Sequence, residues 1–377
     1  MVGYKPVGSI IFGFGSTDRS SQVASVGHVA PVEEHVVLDP DWLTQALSAA
    51  HPGTQVRSVA IVERLVSTWT KLRLKLEYDS APEGLTDSIC VKALLGENAK
   101  LFLGHSTAVG QTVEARFYRD CASQLSVNVP RCLYIGIDAE LGHGLFIMED
   151  LILQGAEFGS ALARRTADQV TAALQQLARL HAGGSRHFTP RDLPWVRPFL
   201  EDVTRQPFIP VEMLDELLKG VRGDPLPDHV RDGPRLQAAM AALAQRFRGR
   251  PAMLVHGDLH AGNTYVQGDA IGMIDWQLLQ WGSWAQDVAY QIGATMAPED
   301  RRLHERKLLA DYVEALREAG GEAPSPDEAW QDYRTACVYG FYLWGITRRV
   351  APDITNEFNR RLGLAVADHD SFAMLGV

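Results

Sequence analysis

The chain has 377 residues, 46% hydrophobic and 22% charged, with 36 Lys and Arg against 46 Asp and Glu for a net charge of -10. Such a composition builds ordinary globular cores, and its acidity gives no general attraction to phosphate backbones or anionic lipid, so neither nucleic acid nor membrane is expected as a partner. The four cysteines, Cys90, Cys121, Cys132 and Cys337, are scattered without a CxxC pair, as in reduced cytoplasmic proteins, and no apolar run approaches the roughly 20 residues of a bilayer span.

Residues 1–35 hold Gly, Ser and Val with little periodicity and read as an irregular N-terminal extension. The Gly-Phe-Gly-Ser at 13–16 is not a dinucleotide fingerprint, because neither a third glycine nor a helical pattern follows it. Residues 36–150 read as a β-rich N-lobe. Asp39-Pro40 caps a short helix over 40–50, and strands follow at 56–66, 70–78 and 88–94. A helix over 112–124 sets Val113, Phe117 and Cys121 on one face, and two further strands cover 131–138 and 144–148. Residues 151–377 read as a larger, α-rich C-lobe. It opens with a helix over 163–181 that Gly183-Gly184 is expected to end. Proline-rich turns and short helices then fill 185–250. Strand-like pieces return only at 253–255, 264–266 and 271–274, and helix resumes from Asp287. The fold class expected is α+β, in two lobes.

The chemistry concentrates in LVHGDLHAGNTYV (254–266) and IGMIDW (271–276). An apolar strand leads into His256-Gly257-Asp258, Asn263 follows five residues later, and a second short strand delivers Asp275 twelve beyond that. Phosphoryl transfer uses one carboxylate to take the hydroxyl proton, and an amide with a second carboxylate to hold Mg²⁺ on the phosphates. Mg²⁺ prefers a few hard oxygen ligands, which suits Asn263 and Asp275.

These segments resemble the aminoglycoside phosphotransferase and choline kinase superfamily, which shares the protein-kinase fold. HGDLHAGN resembles its HxDxxxxN catalytic loop, and IDW its metal-binding motif. The resemblance extends from about residue 40 to the end. Glu114-Ala-Arg-Phe-Tyr118, Pro130-Arg-Cys-Leu-Tyr134, Met148-Glu-Asp-Leu151 and the 308–320 helix with Tyr312 resemble the ecdysteroid-kinase-like branch. The resemblance implies Asp258 as catalytic base and Asn263 and Asp275 as metal ligands, with His256 supporting the loop. It implies that His260 stands where protein kinases often place a lysine against the γ-phosphate. It further implies that Lys92 meets the α/β-phosphates and pairs with Glu114 (Glu97 as fallback), and that the backbone at Glu149 and Leu151 faces the adenine. Asp287 is expected as the N-cap of the following helix.

One departure stands out. The turn that should cover the phosphates, Val66-Ser-Thr-Trp-Thr-Lys71, has no glycine, so Ser67 and Thr68 hydroxyls are expected to replace close backbone N–H groups. That turn keeps a nucleotide-binding pseudokinase open as an alternative. A metal-dependent hydrolase using His256, Asp258 and His260 is a remoter one. For the acceptor, residues 184–250 hold 9 Asp and Glu against 11 Lys and Arg, so no acidic trap for a polycation is present. The C-terminal part is instead rich in Trp, Tyr and Phe. The expectation is a kinase that uses ATP or GTP with Mg²⁺ on a hydroxylated, largely apolar or anionic small molecule, with an aminoglycoside-type phosphotransferase as the alternative.

Overall fold

The structure, a computed structural model, describes residues 29–67, 69–103 and 106–377. Most of the expected extension, residues 1–28, and Thr68 lie outside the described residues. The chain divides into two compact units. One comprises residues up to 115 together with 132–148, and the other 116–131 together with 149–377.

The first unit starts with a single helical turn, α1 (Glu34–Val37), whose first two residues fall in the segment expected to be irregular, and continues into α2 (Pro40–Ser48). Asp39 caps α2 by accepting the Asp41 N–H at 2.9 Å. Strands β1 (Gln55–Val66), β2 (Thr70–Ser80) and β3 (Ser88–Ala93) precede the helices α3 (Glu97–Phe102) and α4 (Ser106–Arg116), and β4 (Cys132–Asp138) and β5 (His143–Glu149) complete one sheet of order β1-β2-β3-β5-β4. Strand β2 shows why a sheet forms here. Thr70, Leu72, Leu74 and Leu76 are buried and alternate with Lys71, Arg73, Lys75 and Glu77, the two-residue period of a half-covered strand. Trp42, Leu43, Ala46 and Leu47 of α2 join the core beneath it.

Helix α4 passes into a π-helical turn, Phe117–Cys121, with Phe117 and Cys121 fully buried. Residues 116–131 belong to the second unit. Asn128 shows the reason: its backbone N–H donates to Gln176 Oε1 (2.8 Å), its Nδ2 to the Ile271 carbonyl (3.0 Å), and its carbonyl accepts the Met273 N–H (2.9 Å).

In the second unit a two-residue strand, β6 (Glu157–Phe158), is followed by α5 (Ala167–His187) and the shorter α6 (Phe199–Arg205), α7 (Val211–Lys219) and α8 (Gly233–Phe247). Strand β7 (Met253–Val255) pairs with β10 (Gln280–Gly282), and β8 (Thr264–Gln267) lies between β6 and β9 (Ala270–Met273). Helices α9 (Trp284–Thr295), α10 (Pro298–Glu318), α11 (Pro326–Ile346), α12 (Pro352–Asp368) and α13 (Ser371–Met374) finish the chain. All twelve residues of α9 are buried, as befits a helix enclosed on every side.

Gly183-Gly184 does not end α5, which runs on to His187. A Cβ on Gly184 would stand 2.6 Å from the Cβ of Leu254, so this glycine lets the helix press against β7. The tertiary approach outweighs the helix-breaking tendency of a glycine pair.

Candidate active site

Strand β7 delivers His256, and the turn after it is held from several sides. Gly257 has φ +80°, and a Cβ there would meet the Leu278 carbonyl oxygen at 2.2 Å, so only glycine fits. The Asp287 carboxylate accepts the backbone N–H of His256 (2.7 Å) and of Gly257 (2.8 Å). It also lies 3.1 Å from His181 Nε2, whose Nδ1 is 2.7 Å from Tyr312 Oη. Tyr339 donates its phenol to the Gly257 carbonyl at 2.7 Å. His256 turns both ring nitrogens to backbone, Nε2 to the Ile274 carbonyl (3.0 Å) and Nδ1 to the Asp258 N–H (3.2 Å). Burial lowers its pKa, so the ring stays neutral. With both nitrogens engaged, His256 has none left for the hydrolase metal.

Asp287 is not the helix cap that the sequence suggested. Ser283 caps α9 in a reciprocal box with Gln286, and Asp287 sits one residue further in, fully buried. Its acceptors go to the loop instead of to its own helix.

The Asp258 carboxylate takes Tyr290 Oη at 3.1 Å on Oδ1, and Asn263 Nδ2 (3.4 Å) and Gln277 Nε2 (3.5 Å) on Oδ2. Burial, reinforced by the Asp275 carboxylate, pushes its pKa up to about 8. Asn263 donates from Nδ2 to the Asp258 carbonyl at 2.8 Å, which turns the amide oxygen toward other partners. Asp275 is left-handed (φ 67°, ψ 61°), a strained state for a non-glycine that concentrates at functional sites. Trp276 beside it is fully buried and stacks on Phe117 at 3.7 Å, fixing the start of the turn.

An amide oxygen and a carboxylate are hard donors, and they fit Mg²⁺. Among the described residues no group of three or more His, Cys, Asp or Glu side chains could hold a metal ion. Two protein ligands completed by water and phosphate oxygens is the coordination that matches such a set.

His260, suggested by the sequence for a contact with the γ-phosphate, packs among aromatic rings. Its Nδ1 accepts the Gly262 N–H at 3.0 Å, and its ring lies against Trp344 (5.2 Å between centroids), Phe358 (5.0 Å) and Tyr290 (6.0 Å). Burial drives its pKa down to about 3, leaving a neutral ring with a proton on Nε2.

In the first unit, Lys92 Nζ is 2.6 Å from Glu114 Oε2, both side chains almost wholly buried. The fallback partner Glu97 instead pairs with Lys100 at the surface. Ser67 turns its hydroxyl to the Trp69 carbonyl at 3.3 Å, and Trp69 packs with Leu94, Ala99 and Phe102. The indole that stands in place of a glycine is therefore core. In the second unit, the Glu149 N–H donates to the Arg131 carbonyl at 3.1 Å. The Leu151 carbonyl accepts the N–H groups of Gln154 and Ala156, while the Leu151 side chain packs with Ala156 and Tyr265.

Residues 100–330, well over half of the chain, match the family described as the phosphotransferase enzyme family. The chain belongs to that family. Among curated proteins it is similar to the methylthioribose kinase of Cronobacter sakazakii, 36% identical over 64 residues, and to that of Erwinia tasmaniensis, 30% identical over 70. These matches span only 17% and 19% of this chain, and 16% and 18% of the relatives. Among solved structures it is similar to a choline kinase from Cryptosporidium parvum, at 12% identity and a TM-score of 0.52 over 84% of this chain and 91% of that one. That likeness is one of fold. Within the described residues no helix is long and apolar enough to cross a membrane.

Three contacts of this phosphotransferase-family loop escaped sequence reasoning: Tyr290 and Gln277 on Asp258, and Tyr339 on Gly257. A partial signal existed. Tyr290 follows Asp287 by three residues, so both must lie on one face of the same helix.

Proposed function

We propose that the protein is a small-molecule kinase that moves the γ-phosphoryl group of ATP or GTP to a hydroxyl of a largely apolar or anionic acceptor. The observation that carries this reading is geometric: the half-buried Asp258 sits on a loop that Asn263 Nδ2 ties back to the Asp258 carbonyl at 2.8 Å, and burial with the nearby Asp275 carboxylate raises its pKa to about 8. A carboxyl group with an elevated pKa suits a general base. Asp258 accepts the proton of the acceptor hydroxyl, and Asn263 and Asp275 hold Mg²⁺. When bound, that ion supplies charge neutralisation on the transferring phosphates.

Lys92, fixed by Glu114, contacts the α/β-phosphates. His260 contributes a hydrogen bond from Nε2 to the γ-phosphate instead of a charge. The Ser67 hydroxyl is committed to the Trp69 carbonyl, so the hydroxyl contact proposed for the phosphates falls to Thr68. The Glu149 carbonyl and the Leu151 N–H face the adenine, since the other backbone groups of those two residues are engaged within the protein. The balance of residues 184–250, 9 Asp and Glu against 11 Lys and Arg, supports a neutral or anionic acceptor over a polycation.

The test is nucleotide consumption screened against pooled hydroxylated metabolites, with Asp258→Asn and Asp275→Ala run in parallel. Asp258→Asn should lower kcat by about 10²–10⁴-fold with little change in nucleotide affinity, the usual share of general-base catalysis. Asp275→Ala should abolish both Mg²⁺-dependent nucleotide binding and turnover. Parental turnover in either variant, or ATP binding with no turnover of any acceptor in the parent protein, refutes the kinase reading.

A further inference from the structure

Tyr290 is almost fully buried (1% exposed), and its phenol makes the shortest side-chain hydrogen bond to the Asp258 carboxylate among the described contacts. It does not reach this position by accident of packing. Its ring meets Tyr339 edge-on at 6.1 Å, and Tyr339 itself holds the Gly257 carbonyl. Space for the ring exists only because residue 340 is glycine, where a Cβ would lie 2.5 Å from Tyr290 Cδ2. Three residues earlier on the same helix, Asp287 holds the backbone of His256 and Gly257. One face of α9 thus fixes both the backbone of the loop and the side chain that follows it.

We propose that Tyr290 is a positioning residue for phosphoryl transfer. Its hydroxyl pins Oδ1 of Asp258 so that Oδ2 is presented to the acceptor hydroxyl. The inference rests on the reading of Asp258 as the base. A carboxylate on a single side-chain stem rotates freely about two bonds, and the contacts on Oδ2, at 3.4 and 3.5 Å, are too long to stop it. Tyr290 is the contact of ordinary geometry. Burial raises the Tyr290 pKa well above its usual value, so the phenol keeps its proton and remains a donor.

The test is Tyr290→Phe, which keeps the ring and removes the hydroxyl, assayed as ADP release from Mg·ATP with water and with each alcohol that the metabolite screen returns. Expected is a fall in kcat of about 10–100-fold, the scale of one hydrogen bond to a charged group, with KM for ATP unchanged. Gly340→Ala, which pushes the ring without deleting the hydroxyl, should lower kcat in the same direction. A crystal structure of Tyr290→Phe should show Asp258 in a changed rotamer. Asp258 unmoved in that structure, or kcat within twofold of the parent, overturns the inference. Asp258→Asn serves as the control: if it also keeps parental turnover, the base assignment fails, and if it alone collapses, only the role of Tyr290 falls.

Discussion

Removing the Asp287 carboxylate should loosen the whole candidate loop that carries Asp258, and the size of the effect follows from its contacts. Asp287→Ala leaves three buried donors, the N–H groups of His256 and Gly257 and the Nε2 of His181, without their acceptor. An orphaned buried donor costs about 1–3 kcal/mol, and relaxation or an entering water recovers part of the sum, so a net loss of about 3–5 kcal/mol is expected. For a unit of this size that is roughly a 6–20 °C drop in Tm. Asp287→Asn separates charge from shape. Its amide oxygen can replace Oδ2, which serves both His256 and His181, but its NH₂ then faces the Gly257 N–H. One orphaned donor predicts a smaller loss, about 1–3 kcal/mol. Thermal and urea unfolding of the two variants, followed by circular dichroism, give the comparison. Turnover measured well below the lower Tm should fall further than the folded fraction, because the loop that carries Asp258 loses its anchor. An alanine variant that melts within about 1 °C of the parent protein would show that the loop is held by something else.

Two further outcomes follow from other parts of the second unit. Gly184→Ala should be destabilising by about 1–3 kcal/mol despite the better helix propensity of alanine, because the new Cβ meets the Cβ of Leu254, which cannot swing away. Gly183→Ala, which meets only the terminal Leu125 Cδ2 at 3.2 Å, should be neutral or slightly stabilising, and equal unfolding free energies for the two variants would contradict this account. Acid stability should depend on Glu305. Burial works against its charge, but hydrogen bonds from His369 and Arg301 prevail and hold its pKa below the usual value. A lowered carboxyl pKa stabilises the fold above the unfolded-state value and stops doing so as pH falls through the folded-state value. The Tm gap between the parent protein and Glu305→Gln should therefore be wide at pH 7 and shrink as pH falls below the unfolded-state value of about 4.3, and a gap that stays constant through that fall would refute the assignment.

The candidate segment was legible in the sequence because its parts are close together along the chain. His256, Asp258, Asn263 and Asp275 fall within twenty residues, and short strands with a tight turn fix their spacing. The sheet of the first unit was legible for the same reason, since the alternation in β2 states its own period. What escaped depends on partners far away. Asp287 reads locally as a cap because acidic residues favour helix starts, and only the fold brings its carboxylate to backbone thirty residues earlier. Gly183-Gly184 reads locally as a stop, and only the nearness of Leu254 explains why the helix continues. The turn at Ser67 shows the same limit from the other side. Its lack of glycine suggested that hydroxyls compensate, yet Ser67 bonds to the Trp69 carbonyl and the indole packs into a small cluster of its own. A motif states which groups chemistry needs. It does not state what holds them still, and in this loop that work falls to Asp287, Tyr290 and Tyr339, on two helices that begin only after the motif has ended.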